Sequence, residues 1–389
     1  MRITKAPILW LKALSFTLIM TILLSPVAGA LNPTEPVEIG GVKAALLMES
    51  NSGRIVYEHE ADVELNAAGL CRLPALLVIC EAVDKGEFSL DTQITVSSEA
   101  AAVRGPTAFV EANEVISAGD LLKSAVMICA GDAIHALAYT LSGSEKAFVD
   151  KVNARLKELG VTAQVSTLLG ENTKFTANQL AAIGKMLAKS KAFTSYSNIF
   201  LDGIKHSDGR ETELVNYNRL LKNYSGCFGL STGSSPDAGY CGVFAVTRNN
   251  MTYICVIIGA ANSSERFSAA TALLDYGFSA FKLTQFAEAG KVVFENVPVK
   301  GGIKRTVNLI CKESVSFLGA SAAAYDIKGE APESIDAPVD VKKPIMTVDI
   351  LDSEGKKAGE MPLYAQEPVD QAGLFDFMMK VLWGWLYIS

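Results

Sequence analysis

The sequence has no serine, threonine or lysine between Gly53 and Asp84. Histidine is also scarce, with 3 in 389 residues, and the three are far apart in the chain. No Cys-x-x-Cys pair is present, and paired cysteines or clustered histidines are what a zinc site requires. The sequence therefore predicts no metal site and no cofactor.

Basic residues are too few to form a surface for nucleic acid. The formal net charge is -7, and no block of lysine and arginine interrupts the acidic balance. Proteins that bind nucleic acid concentrate cations on one face. We therefore exclude nucleic acid as a partner.

The length and the apolar content indicate more than one domain. The chain has 389 residues, 49% of them hydrophobic, which is enough for two domains that each have a core. Its seven cysteines cannot all pair with one another and lack the close spacing of a disulfide-dense secreted module. Most of them are predicted to be small buried apolar residues.

Residues 1–30 have the pattern of a leader. A basic start precedes an apolar run from Leu14 to Leu24, and small residues follow at Ala28-Gly29-Ala30. This pattern predicts a signal peptide that is cleaved after Ala30, and hence export. The alternative is an uncleaved anchor, which the apolar run disfavours because it is shorter than the ~20 residues that span a bilayer.

Residues 31–283 read as one domain with strands at both ends and helices between them. A hairpin is predicted over Lys43 to Glu58, with a turn at Asn51-Ser52-Gly53. Strands at both ends of a helical region favour an α+β fold, with one antiparallel sheet covered by a helical cluster. Helices are predicted at Leu73–Lys85, Ala118–Thr140, Ser144–Leu159, Ala177–Ala188 and Ser264–Tyr276, and strands at Gly239–Val246 and Thr252–Gly259.

The chain changes character after about Thr284. Short valine- and isoleucine-rich runs alternate with turns through 284–368, which predicts a small all-β sandwich domain. In the last segment, 369–389, Gly373 to Ile388 would form an amphipathic helix of about 24 Å. Such a helix would lie in a membrane interface, with Trp383 and Trp385 at headgroup level. The alternative is a helix packed on its own domain or on a dimer partner.

Several segments together resemble one known family. The longest is the run from Ala75 to Asp91, which is similar to the helix and loop that follow the nucleophile in serine-type D-alanyl-D-alanine carboxypeptidases. These are low-molecular-mass penicillin-binding proteins with a β-lactamase/transpeptidase-like fold. Further similar segments are Ala130–Ala138, Leu214–Leu221, Gly229–Gly233, Asp237–Cys241 and Leu273–Phe278.

The resemblance implies a serine nucleophile and a lysine base, in the motif S-x-x-K. Counted back from Glu81-Ala82 without a gap, the serine position falls on Gly69 and the lysine position on Arg72. Glycine has no nucleophile, and arginine keeps its proton because its pKa is above 12. This pair is not expected to form an acyl-enzyme.

The other two family motifs, S-x-N and K-T-G, are also altered. The second falls on Cys129-Ala130-Gly131, where a thiol replaces the hydroxyl and the asparagine is missing. The third falls on Ser231-Thr232-Gly233, which keeps the threonine and loses the lysine. Thr232 and Gly233 remain as candidates for binding the backbone of an extended peptide.

No other side chain near these positions is expected to take over the chemistry. Cys71 is predicted to face the packed side of its helix, and Cys129 has only Arg72 beside it, which favours a thiolate but supplies no acid. His135 lies in an apolar helical run and is interpreted as structural. His206 is predicted to lie in a surface turn.

These observations favour an inactive homologue of the carboxypeptidase family in the bacterial cell envelope. It would be held at the outer face of the membrane or in the wall by its terminal helix, and it would bind a peptidoglycan stem peptide or a related peptide. One alternative is an active carboxypeptidase that trims peptidoglycan pentapeptides. Another is a secreted adaptor that uses its β-domain.

Overall fold

The computed structural model describes residues 37–320, 325–352, 355, 357–374, 376 and 378. The predicted leader and most of the predicted terminal helix lie outside these residues. Within them, no helix combines the length and the apolar content that crossing a bilayer requires.

The helices lie mostly in the first two thirds of the described chain. A 3-10 helix at Ala68–Arg72 leads directly into the first α-helix, which has a proline in its first turn, where no backbone donor is lost. The α-helices are α1 Leu73–Asp84, α2 Ser98–Ala101, α3 Ala118–Ile128, α4 Gly131–Ser142, α5 Glu145–Glu158, α6 Ala177–Leu187, α7 Lys191–Ser197, α8 Leu220–Asn223 and α9 Ser263–Ala280.

Some strands flank the helical region or lie between its helices, and the remaining strands follow it in the C-terminal region. In chain order the strands are β1 Ala44–Glu49, β2 Ile55–His59, β3 Leu65–Asn66, β4 Gln93–Thr95, β5 Val115–Ser117, β6 Lys174–Phe175, β7 Leu201–Lys205, β8 Glu211–Val215, β9 Cys227–Ser235, β10 Gly239–Arg248, β11 Met251–Ala260, β12 Phe281–Ala287, β13 Val292–Lys300, β14 Thr306–Cys311, β15 Val315–Ala320, β16 Tyr325–Lys328, β17 Ile335–Asp336, β18 Met346–Asp352 and β19 Lys357–Ala365.

A five-stranded sheet organises the first domain, with the order β2-β1-β11-β10-β9 and every pairing antiparallel. All six residues of β1 are buried, because helices cover both faces of the sheet: α6 contacts β1 and β11 on one side, and α9 contacts them on the other. An apolar core lies on each face. The predicted α+β fold is confirmed. Strand β9 lies at one edge of this sheet, and β2 lies at the other.

The prediction of a single helix over Ala118–Thr140 is wrong. The segment forms two helices, α3 and α4, because Cys129 adopts a left-handed conformation with φ 55° and its amide caps the end of α3. The apolar spacing continues through the break, so periodicity does not reveal it. The break turns α4 so that Gly131 is its first residue.

The C-terminal region is built from strands, as predicted. Its main sheet has six strands in the order β16-β18-β19-β14-β13-β17, and β12 and β15 form a separate pair. Strand β12 begins immediately after α9 ends at Ala280, so the change of composition near Thr284 falls inside a strand. The Arg54 guanidinium ties the hairpin of the first domain to this region by donating to the carbonyl oxygen of Leu318, at 2.6 Å.

The surface turn predicted around His206 is present at residues 207–209, but the His206 side chain itself is buried. Its ring lies at the end of the β7–β8 hairpin, with Nδ1 2.7 Å from a Glu114 carboxylate oxygen and Nε2 2.8 Å from the Thr212 hydroxyl. Glu114 also accepts a hydrogen bond from the Glu111 amide. The pair fixes this hairpin to the loop that precedes β5.

Candidate functional site

Three separate parts of the chain bring the predicted site positions together. The 3-10 helix carries Gly69 and Arg72, the break between α3 and α4 carries Cys129 and Gly131, and β9 carries 231–233. The Cys129 thiol donates a hydrogen bond to the Gly69 carbonyl oxygen, with 3.6 Å between sulfur and oxygen. The positions matched to the three family motifs therefore meet at one place in the fold.

The backbones of Gly69 and Gly233 approach each other closely. A Cβ atom on Gly233 would lie 2.7 Å from the Gly69 nitrogen, so only glycine allows β9 to come this near. A Cβ atom on Gly69, in contrast, would meet only the Gly233 Cα, at the ordinary contact distance of 3.9 Å. There is therefore room for a side chain at position 69.

The Arg72 guanidinium is held by backbone carbonyl groups. Nη1 donates to Cys129 at 2.8 Å and to Pro106 at 3.3 Å, and Nη2 donates to Arg104 at 3.4 Å. The residue is only 7% exposed. Arg72 thus ties the loop around Pro106 to the break between the two helices, and it has no free lone pair with which to accept a proton.

The same guanidinium occupies space beside Gly131. A Cβ atom on Gly131 would lie 3.0 Å from both Cζ and Nη1 of Arg72, and 2.8 Å from Val103 Cγ1. These distances are too short for any larger residue unless both Arg72 and Val103 move. The large residue at position 72 and the missing side chain at position 131 therefore fit each other.

Neither nearby cysteine is an activated thiol. Burial raises the pKa of Cys129, and the opposing effects of Arg72 and of a hydrogen bond with Ser231 are smaller. Burial also raises the pKa of Cys71 to about 12, with the Cys129 side chain contributing in the same direction. A cysteine nucleophile requires a lowered pKa or an adjacent base.

Slow alkylation of the native protein should follow from these raised pKa values. We expect iodoacetamide at pH 7 to modify Cys129 at least about ten-fold more slowly than it modifies a free cysteine, whose pKa is ~8.5. Peptide mapping by mass spectrometry would measure this, with the urea-unfolded chain as the reference. Rapid and selective alkylation of Cys129 in the native protein would reveal an activated thiol instead.

A groove of about 440 Å³ lies along β9, next to these positions. Thr232 and Gly233 line it, together with the hydroxyl side chains of Ser234 and Ser263. An apolar wall faces them, formed by side chains of the loop before β5 and of the segments that flank the β7–β8 hairpin. Its members are Pro106, Phe200, Val215 and Tyr217.

Two arginines that sequence reasoning missed also line this groove. Arg266, in the first turn of α9, is buried, and its Nη1 donates to the carbonyl oxygens of Gly233 and Cys241 at 3.2 and 3.1 Å. Burial lowers its pKa to about 10. Arg219 precedes α8 and is exposed. Arg219 lies within Leu214–Leu221, a segment noted above as similar to the family, but nothing in its sequence marks it as a groove residue. Arg266 is 33 residues from Gly233.

Among the described residues, those matched to the nucleophile, the base and the serine, asparagine and lysine of the other two family motifs do not line this groove. Arg72, Cys129 and Ser231 are buried beside it. The lining includes no aspartate, glutamate, histidine, lysine or cysteine. Within the described residues, no group of three or more such side chains is arranged to hold a metal ion.

Comparison with known proteins identifies the family. Residues 29–262 match the family of D-alanyl-D-alanine carboxypeptidases known as Peptidase_S11. The chain belongs to this family. Residues 281–371 match the C-terminal domain of penicillin-binding protein 5. The resemblance noted in the sequence is confirmed, and the β-rich region is the second domain of this carboxypeptidase family.

Curated relatives match nearly the whole chain. D-alanyl-D-alanine carboxypeptidase DacF of Bacillus subtilis is 29% identical over 350 residues, which are 88% of this chain and 90% of that protein. DacC of Escherichia coli is 27% identical over 381 residues, which are 93% and 94% of the two chains. Penicillin-binding protein 5 of Haemophilus influenzae has the same fold, with a TM-score of 0.74 at 23% identity, over 87% of this chain and 99% of that one.

Proposed function

We propose that this carboxypeptidase homologue binds peptides with a free C-terminal carboxylate and does not cleave them. The observation that carries the proposal is the pair at positions 69 and 72. One has no side chain, and the other is a guanidinium that donates to three carbonyl groups. Formation of an acyl-enzyme requires a nucleophile and a group that accepts its proton, and neither position supplies one.

Groups elsewhere in the groove do not replace the missing pair. The ionisable side chains that line it are Arg219, Arg266 and Tyr217, and none of these residue types accepts a proton near neutral pH. The Ser231 hydroxyl is buried, and it interacts with the Cys129 thiol. A serine without an adjacent base is a weak nucleophile.

The features that bind a peptide are retained. Strand β9 is the edge of its sheet, so its outer backbone groups can pair with an extended peptide. Arg266 supplies a buried positive charge directly behind Gly233, and a guanidinium is well suited to binding a carboxylate. The stem peptide of peptidoglycan, on which the family acts, supplies an extended peptide that ends in such a carboxylate.

We also infer that the protein works at the outer face of the bacterial membrane or in the wall, with residues 1–30 as its leader. Leu374 and Met378, four positions apart at the start of the terminal segment, are 82% and 55% exposed. Adjacent exposed apolar side chains of this kind suit contact with a membrane surface.

Covalent labelling distinguishes this proposal from an active carboxypeptidase, which the names of the relatives favour. We expect a fluorescent penicillin to leave the intact mass of the protein unchanged, because no hydroxyl in the groove has an adjacent base to activate it against the β-lactam ring. A penicillin adduct, or release of D-alanine from a peptide that ends in D-Ala-D-Ala, would contradict the proposal.

Calorimetry with the same peptide tests binding. A peptide with a free carboxylate should bind about ten-fold more tightly than its C-terminal amide, because the amide loses the charge-assisted hydrogen bonds with Arg266. A decoy peptide of L-alanine residues measures how much of the binding depends on stereochemistry. Equal affinity for the acid and the amide would exclude the carboxylate as the recognised group.

A further inference from the structure

The groove contains two guanidinium groups and no compensating acid. Arg266 forms part of its floor and is 6% exposed, whereas Arg219 lines it from the solvent side. Among the described residues, neither arginine forms an ion pair with a carboxylate. Elsewhere in the described chain, Arg155 and Arg210 do form such pairs, with Glu81 and with Asp208.

The hydrogen bonds of Arg266 are all to neutral groups. They go to two carbonyl oxygens and to the Ser263 hydroxyl, and its buried Nε has no partner within the described structure. Burial is the main cause of its lowered pKa, and the positive charge of Arg219 acts in the same direction. The two positive charges therefore repel each other, and an anion bound near both would relieve the repulsion.

The Arg219 side chain is not held in place by polar contacts within the described residues. It precedes a helix of four residues, its side chain is exposed, and within the described residues it forms no hydrogen bond or ion pair through its guanidinium. The opposite wall is mostly apolar, and the side-chain amide of Asn216 within it is already hydrogen-bonded to the Ile199 carbonyl oxygen and the Asn218 backbone amide. The free charge of Arg219 is thus available to a ligand that Arg266 already holds.

We propose that Arg219 and Arg266 form a double-cation subsite, which selects peptides whose C-terminal residue carries a second carboxylate. The inference rests on the proposed function, in which Arg266 binds the terminal carboxylate. Arg219 then binds the acidic side chain of the same residue, and the hydroxyl groups of Ser234 and Ser263 complete the polar side of the groove. Arg219 is therefore a specificity-determining residue.

Three peptides that differ only at the last residue test this by calorimetry: N-acetylated peptides ending in D-Ala-D-Ala, D-Ala-D-Gln and D-Ala-D-Glu. The last two match in shape and differ by one charge. We expect the D-Glu peptide to bind about five-fold more tightly than the D-Gln peptide, which is the upper range for an exposed ion pair. The difference should shrink as salt is added.

Charge variants assign the effect to Arg219. Arg219→Gln should reduce the five-fold ratio to about one by weakening the D-Glu peptide more than the D-Gln peptide, and Arg219→Lys should retain most of the ratio. Lys146→Gln is the control, because it removes the same charge from an exposed position on α5. It should keep the full ratio.

The outcomes separate the two proposals. If the wild-type protein binds the D-Gln and D-Glu peptides equally, the double-cation subsite is excluded and peptide binding stands. A five-fold ratio that persists in Arg219→Gln assigns the effect to another group and overturns the inference. If none of the three peptides binds, the proposed function fails, and the subsite fails with it.

Discussion

A variant with four substitutions should form a covalent adduct with penicillin, whereas the wild-type protein should form none. The substitutions are Gly69→Ser, Arg72→Lys, Gly131→Asn and Ser231→Lys, which restore the nucleophile, its base, the amide and the lysine of the three family motifs. Position 69 has room for the serine, since a Cβ atom there meets only the Gly233 Cα at 3.9 Å. Removal of the guanidinium relieves two of the three close contacts at position 131, and Val103 must shift for the third.

The measurement is intact mass after incubation with a β-lactam. We expect acylation at least about 10³-fold faster than in a control with Gly69→Ala and the same three other substitutions, because the control has the same shape and no nucleophile. Circular dichroism would establish that both variants fold. A folded variant with the serine that stays unmodified would mean that the loss of chemistry extends beyond these four side chains.

The second large effect is expected in protein stability, where positions 72 and 131 should be strongly coupled. Gly131→Asn alone should destabilise the fold by roughly 1–3 kcal/mol, because the new side chain overlaps the Arg72 guanidinium and Val103. Arg72→Lys alone should cost roughly 1–3 kcal/mol, because a lysine cannot donate to all three carbonyl groups in the same geometry.

In the double variant the two costs should not add. We expect its free energy of unfolding to exceed the additive value by about 1 kcal/mol or more, because the shorter lysine leaves space for the asparagine, whose amide can donate to a carbonyl that Arg72 released. Urea unfolding of the four proteins in the cycle measures this coupling. Gly41→Asn is the control, since Gly41 is exposed with no atom within 4 Å of its Cβ position, and it should show no coupling with Arg72. Additive costs at 72 and 131 would mean that the two positions do not share space.

Local patterns in the sequence predicted most of the first domain. The hairpin at β1–β2, helix α1 and the pair β10–β11 have the alternation or the three- and four-residue spacing that their structures require. The break at Cys129 escaped prediction because a single left-handed residue interrupts the backbone without interrupting the apolar pattern.

Contacts between distant parts of the chain account for what the sequence did not reveal. His206 is buried because it pairs with Glu114, which is 92 residues away. The role of Arg72 depends on three carbonyl groups that no pattern identifies, and the two arginines of the groove come from separate elements. The positions matched to the family motifs were assigned through the resemblance to the family, since glycine and arginine by themselves do not indicate a catalytic position.

Helix α9 connects the groove to the β-domain without an intervening loop. Its first turn contributes Ser263 and Arg266 to the groove, and about 27 Å away its last residue, Ala280, is followed directly by β12. A continuous helix that joins two regions couples a displacement of one region to the other. A displacement of the β-domain would thus move Ser263 and Arg266 in the groove. A ligand that fixes these two residues would in turn restrict the motion of β12.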